Sequence, residues 1–266
     1  MPTSFLNLVN DDGSNTVGTL IDKAEIQALL MGTYLTRTDT GAVNNWAPGV
    51  DGHTFTAWAG ASDATFSGCA GGQAGLLHVV RNTGTKVAYF LHASGLSSAA
   101  NQYANSVTSG ATPIAPGGYI AHRHTGSVWQ LVAHEQGAWI APAWVQAHFT
   151  GNGSMTWLVE VGDVGTSRYR LTGRTVTYAF NFLTTTIAGT PNTQLQISNA
   201  QWGGYTIAAV IYQQGMAFAN DGTVRAAYSQ APASGTAINL ITTAATAWAA
   251  VVNAGYFAGT ITAEVA

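Results

Sequence analysis

The chain has 266 residues, with 12 acidic and 9 basic side chains, a net charge of −3 and one cysteine. Only 8% of the residues are charged, whereas 47% are hydrophobic and 10% are aromatic. Disordered chains combine high charge with few aromatic residues, so this composition excludes disorder and favours one or two folded domains. Nucleic-acid binding requires clustered lysine and arginine, which excludes that class of partner for a near-neutral chain.

The sequence also indicates a compartment. A single cysteine, Cys69, allows no internal disulfide, which agrees with synthesis in a reducing cytosol. The opening segment, MPTSFLNLVNDDGSN, has neither a basic nor an apolar leader region, so we expect no signal peptide. Residues 226–263 carry no formal charge, but polar residues and glycine interrupt them throughout, so we expect no membrane insertion.

One short helix is predicted near the start of the chain. Thr19 is a suitable N-cap, Asp22 follows it as in a capping box, and Gly32 is a suitable stop. The intervening residues include strong helix formers with an apolar face. Because a helix of this length is marginal alone, we expect it to pack on a domain or on copies of itself.

From residue 34 onward, short β-prone runs alternate with turn residues, which predicts an all-β fold. The clearest strand is 175–183, where apolar and polar residues alternate with a period of two. No fixed repeat that would indicate a solenoid is visible. Pro142 interrupts a seam at 137–144, so we predict two β-sandwich-like domains, at 34–144 and 145–266, after an N-terminal segment at 1–33.

Two regions resemble β-rich modules of tailed-phage tail fibres and other virion proteins. The first region covers about residues 44–133, and its segments occur in the order expected for that family. They are NNWAPGV (44–50), ATFSGCAGGQAGLLHVVRNTGT (64–85), SSAANQYA (97–104), IAPGGYI (114–120) and SVWQLV (127–132). The second region shows GNGSMTWLVEVGDV (151–164), YRLTGRTVTYAF (169–180), TTTIAGTPNTQLQI (184–197) and GTITAEV (259–265). The chain departs from the family pattern at 198–204 and at His122-Arg-His124.

The resemblance implies a non-enzymatic virion structural protein, most often a tail-fibre or receptor-binding component that mediates host attachment. Such proteins are typically homotrimeric, and a surface with few charges suits close subunit packing. The N-terminal helix would attach the protein to other virion proteins or begin the trimer. We therefore expect a virion protein made in the host cytoplasm, whose partners are its own copies, other virion proteins and a host surface glycan or protein.

Two alternatives remain open at this level. The chain could be a capsid decoration or head-fibre protein, which stabilises or ornaments the shell. It could also be a glycan depolymerase of the tailspike type, for which paired carboxylates would be needed. The candidates are Glu135, Glu160 and Asp163, although the last two lie at a strand end before a turn, where solvated carboxylates are common.

Other enzymatic motifs are incomplete. His134-Glu135 begins like a zinc-protease helix but lacks the second histidine, and no complete G-x-S-x-G motif is present. The glycine-rich run at 71–75 precedes a strand and lacks the lysine of a phosphate loop. Cys69 is expected to be a buried small residue with no neighbouring base. We expect no enzymatic activity and no resident cofactor.

His122 and His124 could share one metal ion. Residues two apart on a strand point to the same side, and three such pairs around a trimer axis would supply six imidazoles for a transition metal. Hydrogen bonding at the surface or between subunits is the alternative for these rings.

A glycan site is suggested by an aromatic and amide cluster near 198–214. Sugar rings stack on exposed aromatic faces, and neutral amides supply hydrogen bonds. The candidate residues are Trp202, Tyr205, Tyr212 and Gln201, with Asn199, Gln213 and Gln214 nearby. Trp129, Trp139, Trp157 and Trp248 are expected in the core, where tryptophans of β-sandwiches more often lie.

Overall fold

The computed structural model describes residues 35–47, 55–209, 211–220, 223–243 and 246–266. Within these ranges, strands alternate with turns and short 3₁₀ segments, and no helix reaches seven residues. The all-β prediction is therefore confirmed. The predicted N-terminal segment 1–33, with its helix, lies outside the described residues. Among the helices that the described ranges contain, none is long and apolar enough to cross a membrane.

Ten strands within residues 35–137 form the first unit of the fold, which we call the solenoid unit because of the path described below. Most of these strands alternate, along the chain, between two sheets. They are β1 (Leu35–Arg37), β2 (Gly41–Val43), β3 (Phe55–Trp58), β4 (Ala64–Phe66), β5 (Leu77–Asn82), β6 (Ala88–Leu91), β7 (Tyr103–Ala104), β8 (Ala111–Ile114), β9 (Gly117–His124) and β10 (Trp129–Gly137). One sheet has the order β1-β3-β5-β9-β10-β7, and the other has the order β2-β4-β6-β8. The first three strands of each sheet are parallel, and the strand that follows them in each order is antiparallel.

This path is β-solenoid-like, because the chain returns to each sheet one strand further along. Leu35 pairs with Thr56, and Phe55 pairs with Val79, so equivalent positions recur once in every coil. The expectation that the chain contains no solenoid was therefore wrong for this unit. The sequence shows no repeat because successive coils share a backbone path but not a sequence pattern, and most of their strands are short.

Aromatic rings from successive coils fill the interior of the solenoid unit. Trp46 lies 4.5 Å from Phe66, Phe66 stacks on Phe90 at 5.1 Å, and Phe90 lies 5.4 Å from Tyr103. All four side chains are buried. Burial of one such ring contributes roughly 2–3 kcal/mol, so this column of rings is a main stabilising element.

Nine further strands form the C-terminal unit. They are β11 (Phe149–Gly151), β12 (Thr156–Leu158), β13 (Val164–Thr172), β14 (Thr175–Ala188), β15 (Gln194–Ser198), β16 (Ile211–Asn220), β17 (Thr223–Ala231), β18 (Ala237–Thr242) and β19 (Val251–Glu264). They form one sheet with the order β11-β15-β18-β17-β16-β19-β14-β12, and β13 also pairs with β14. The predicted alternation in 175–183 is confirmed, because Val176, Tyr178, Phe180 and Phe182 are buried.

The sheet of the C-terminal unit curls around one core. Phe149 on β11 and Phe182 on β14 lie near opposite ends of the strand order, yet their rings are 5.1 Å apart. Trp157 of β12 contacts both rings, at 5.5 and 5.9 Å. Strands that are distant along the sheet therefore face each other across these aromatic side chains.

The two units are joined by specific hydrogen bonds. The Tyr205 hydroxyl donates to the Ala111 carbonyl oxygen at 2.8 Å, and the Leu171 amide donates to the Gln136 side-chain oxygen at 2.6 Å. Ile140 and Tyr169 exchange two backbone hydrogen bonds of 3.0 and 2.9 Å. These bonds hold the segment after β10 along the free edge of β13, which creates the groove described next.

Candidate functional site

A groove of about 360 Å³ lies between β13 and the seam, residues 137–144. We call it the seam groove. Its lining includes Pro142, Trp144, Thr166, Ser167, Arg168 and Gln201. The volume falls within the range of small-molecule sites.

The seam side of the groove is fixed at both ends. Ile140 is held by its backbone bonds to β13, and beyond it Pro142 has no amide hydrogen to continue the pairing. The Trp144 indole nitrogen donates to the Val159 carbonyl oxygen at 3.0 Å. This bond anchors the ring while 38% of the residue stays exposed. Trp144 therefore presents an immobilised aromatic surface at the groove.

The opposite side of the groove is the start of β13. The pairing of β13 with β14 shifts register between Val164 and Thr166, so the strand is irregular where it borders the groove. Beyond the irregularity, alternation places Thr166 and Arg168 on one face of the strand and Ser167 on the other. A hydroxyl group and a guanidinium group thus lie next to each other along this side.

A hydrogen-bond network holds the groove-lining amide of Gln201. Its side-chain oxygen accepts from the Ser167 hydroxyl at 3.0 Å, and that hydroxyl also bonds to the Tyr178 hydroxyl at 3.0 Å. Its side-chain nitrogen lies 3.2 Å from the Ala143 carbonyl oxygen and 2.7 Å from Nδ1 of His148. These bonds tie the seam to β13, so the groove is largely pre-formed.

Arg168 and Trp139 extend the site. The Arg168 guanidinium carbon lies 5.1 Å from the centre of the Trp139 ring, within the range of a cation–π contact. Trp139 is 36% exposed. The sequence-based expectation that Trp139 is a core residue was therefore wrong, because the seam carries it along the surface. Burial does confirm that expectation for Trp129, Trp157 and Trp248.

The residues predicted to bind glycan are not brought together at the surface. Trp202 and Tyr205 are 0% and 1% exposed, so neither ring offers a face on which a sugar could stack. Tyr212 lies in β16, paired with Gln230, and its side chain lies outside the described part of the structure. Of the four candidates, Gln201 borders the seam groove, but it is also buried and its amide is occupied by the bonds described above, so its role there is structural.

His122 and His124 share one face of β9, as alternation predicts, but that face is buried. Nε2 of His122 lies 2.8 Å from the Asn105 side-chain oxygen, and Nε2 of His124 lies 2.9 Å from the Ala100 carbonyl oxygen. Nδ1 of His124 accepts from the Gly126 amide at 3.1 Å. Both rings therefore serve hydrogen bonds inside the unit, and within the described ranges no group of three or more potential ligands could hold a metal ion.

Cys69 is buried as predicted, but a base does lie beside it. Its sulfur is 3.7 Å from Nδ1 of His78, whose Nε2 is 3.0 Å from the Thr56 hydroxyl. Burial raises the pKa of the Cys69 thiol to about 12 and lowers the pKa of His78 to about 4. Both groups are neutral near pH 7, so the pair lacks the thiolate that nucleophilic catalysis requires.

The three candidate carboxylates have partners within the fold. Glu135 lies 3.6 Å from Arg170. Asp163 is buried, contrary to the expectation of a solvated group, and accepts from the Glu160 amide at 2.8 Å and the Thr184 hydroxyl at 2.7 Å. Glu160 and Asp163 form a capping box around the 3₁₀ turn Val161–Asp163. These contacts give each carboxylate a structural role.

No family model, curated protein or solved structure matches this chain.

Proposed function

We propose that this chain is a non-enzymatic virion protein of a tailed bacteriophage, a tail-fibre or receptor-binding component that attaches the particle to a glycan on the host surface. The observation that carries the glycan proposal is the seam groove, where an anchored, part-exposed tryptophan lies beside neutral hydrogen-bonding groups. The virion assignment depends on the sequence motifs that resemble tail-fibre modules.

The chemistry of the groove suits a sugar. The face of a pyranose ring is apolar and stacks on an indole, while its hydroxyl groups need donors and acceptors such as the hydroxyl group of Thr166. Trp144 and Gln201 are both held by hydrogen bonds before any ligand arrives, which lowers the ordering cost of binding. A single groove of this size supports weak binding, and a homotrimer would multiply it through avidity.

The remaining architecture follows the same proposal. We assign residues 145–266 a β-sandwich architecture, supported by rings from distant strands that meet in one core. Residues 1–33 would attach the protein to other virion proteins, and residues 34–144 would form the first β domain. The protein would be made in the host cytoplasm and reside in the virion.

The contacts of the candidate carboxylates favour attachment to the glycan without hydrolysis. Asp163 accepts two hydrogen bonds inside the fold and Glu135 lies 3.6 Å from Arg170, which supports structural roles for these two carboxylates. A depolymerase would require a pair of carboxylates on either side of a sugar bond. The described lining of the seam groove contains no Asp or Glu.

The test is binding of the purified full chain to susceptible cells and to an array of bacterial surface glycans. Trp144→Ala is expected to lose binding, because it removes the stacking surface. Tyr119→Ala is a matched control, since Tyr119 is equally exposed at 37% but lies on β9, away from the groove. Thermal melting of both variants checks that they fold.

Two results would contradict the proposal. If folded Trp144→Ala and the native chain bind equally well, the groove is not the glycan-binding site. If sugars are released from a bound glycan, the protein is an enzyme. Electron microscopy of the virion with a labelled antibody separates the structural alternatives. A label on the tail supports attachment, whereas a label on capsid lattice sites would establish the decoration or head-fibre alternative.

A further inference from the structure

We propose that the seam groove selects an acidic glycan, and that Arg168 binds the oxyanion of the sugar, a carboxylate or a phosphate. This inference rests on the proposed function and adds the chemical class of the ligand. It depends on how Arg168 differs from the two other arginines near it in sequence.

Arg168 is a cation without an anionic partner in the described structure. Arg170 lies 3.6 Å from Glu135, and Arg174 lies 3.7 Å from Glu264. Arg168 makes no such contact with a described carboxylate, although it is on the same strand as Arg170. Among the described residues that line the seam groove, Arg168 is the one that carries a positive charge.

The contact with Trp139 leaves the N–H donors of Arg168 available in the described structure. A cation–π contact uses the flat face of the guanidinium group, whereas its N–H donors point outward in the plane. Those in-plane donors match the two oxygens of a carboxylate or phosphate, which accept two parallel hydrogen bonds. The ring also restricts the side chain, so less conformational freedom is lost when the anion binds.

The neighbours of Arg168 favour an anion over a neutral sugar alone. Thr166 lies two residues earlier on the same face of β13, which places a hydroxyl donor beside the guanidinium group. None of the described residues that line the groove carries a negative charge, so nothing there competes for Arg168. Trp144 provides the stacking surface on the seam side. The groove thus offers separate contacts to a sugar ring and to its acidic substituent.

The experiment measures binding of the full chain to three probes: a uronic-acid oligosaccharide, the same oligosaccharide after its carboxyl groups are reduced to alcohols, and a phosphate-bearing teichoic acid. We expect one or both acidic probes to bind and the reduced probe to bind at least tenfold more weakly. Arg168→Gln is expected to weaken acidic binding by about 10- to 100-fold, as for loss of a charge-assisted hydrogen-bond pair. The acidic probe that binds identifies the oxyanion as a carboxylate or a phosphate.

Arg170→Gln is the matched control. It removes the same charge two residues away on the same face, but the lost arginine already faces Glu135, so binding should change by less than about threefold. Arg168→Lys separates charge from geometry, because lysine keeps the charge but lacks the planar pair of donors. We expect it to recover only part of the affinity.

The outcomes separate this inference from the proposed function. Equal binding of the acidic and reduced probes, with Arg168→Gln unchanged and Trp144→Ala impaired, would overturn the acidic selectivity and leave glycan attachment in place. Absence of binding to all three probes and to the glycan array, with Trp144→Ala still adhering to cells like the native chain, would overturn both. An equal loss in Arg168→Gln and Arg170→Gln would indicate general electrostatic attraction and overturn the assignment to Arg168.

Discussion

Acidification from pH 7 to pH 5 is expected to destabilise the solenoid unit through histidines that are buried as neutral rings. His78 is 2% exposed and lies between Trp46 and Trp129, with ring centres 5.6 and 5.9 Å away. Burial lowers its pKa to about 4. His122 pairs with it across β5 and β9, and burial, followed by the nearby His78 and His134, holds the pKa of His122 well below its usual value.

The sign and the size follow from proton uptake by the unfolded chain. An unfolded histidine titrates with a pKa of about 6.5, whereas folded His78 stays neutral until the pH approaches about 4. The contribution of neutral His78 to the free energy of unfolding is therefore fully present above pH 6.5. It is lost progressively as the pH decreases from 6.5 toward 4. At pH 5, His78 alone lowers the free energy of unfolding by about 2 kcal/mol, and His122 acts in the same direction.

The measurement is urea-induced unfolding of the full chain at pH 7 and pH 5. Most carboxyl groups remain ionised between these values, so the difference reports mainly on histidine. His78→Gln should be less stable than the native chain at pH 7 but should lose about 2 kcal/mol less on acidification. Thr56→Val is the matched control, because it removes the hydrogen bond to His78 but keeps the titrating ring.

The reasoning would be refuted by a native free energy of unfolding that is the same at pH 7 and pH 5. It would also be refuted if His78→Gln retained the full pH dependence of the native chain. A Thr56→Val variant that lost the pH dependence would show that the hydrogen bond, and not burial of the ring, controls the titration.

Three further changes test the packing. Gly118→Ala should reduce the melting temperature strongly, because the new Cβ would meet backbone carbonyl oxygens of β10, whereas Gly162→Ala, with no described atom within 4 Å, should leave it nearly unchanged. Phe66→Ala should lower the free energy of unfolding in urea by about 3–5 kcal/mol, because it interrupts the column of rings. Asp163→Asn should cost about 1–3 kcal/mol in the same assay, since it weakens buried bonds that include the one from Thr184, and it should leave glycan binding intact.

The sequence predicts best where structure depends on neighbours along the chain. In β14, side chains alternate between core and outer face with a period of two, so its buried residues were identified correctly. The solenoid was not predicted, because its contacts join residues about one coil apart. Thr56 is hydrogen-bonded to His78, and Asn44 to Ser67, although each pair is separated by a whole coil of the chain. No local pattern indicates such pairs.

The candidate site was predicted only in part, for a similar reason. Parts of the site can be recognised in the sequence. They are the seam, which is interrupted by a proline and contains two tryptophans, and a short run of arginines at 168–174. The sequence analysis placed Trp139 in the core, as is usual for tryptophans of β-sandwiches, and Trp202 in an exposed aromatic and amide cluster, whereas the structure has the reverse. The difference arises because Ile140 pairs with Tyr169, which carries the seam over the surface of the C-terminal unit. That pairing joins segments far apart in the chain and has no signature in the sequence.

The solenoid path has a consequence for how such a chain could change length during evolution. Each of the parallel coils adds one short strand to each sheet and contributes a ring to the central column, and its strands pair only with strands of the coils before and after it. Gain or loss of a whole coil would preserve every other strand pairing. Related chains could therefore differ in the length of the solenoid unit by increments of one strand spacing, about 4.8 Å, without altering the strand pairing of the C-terminal unit.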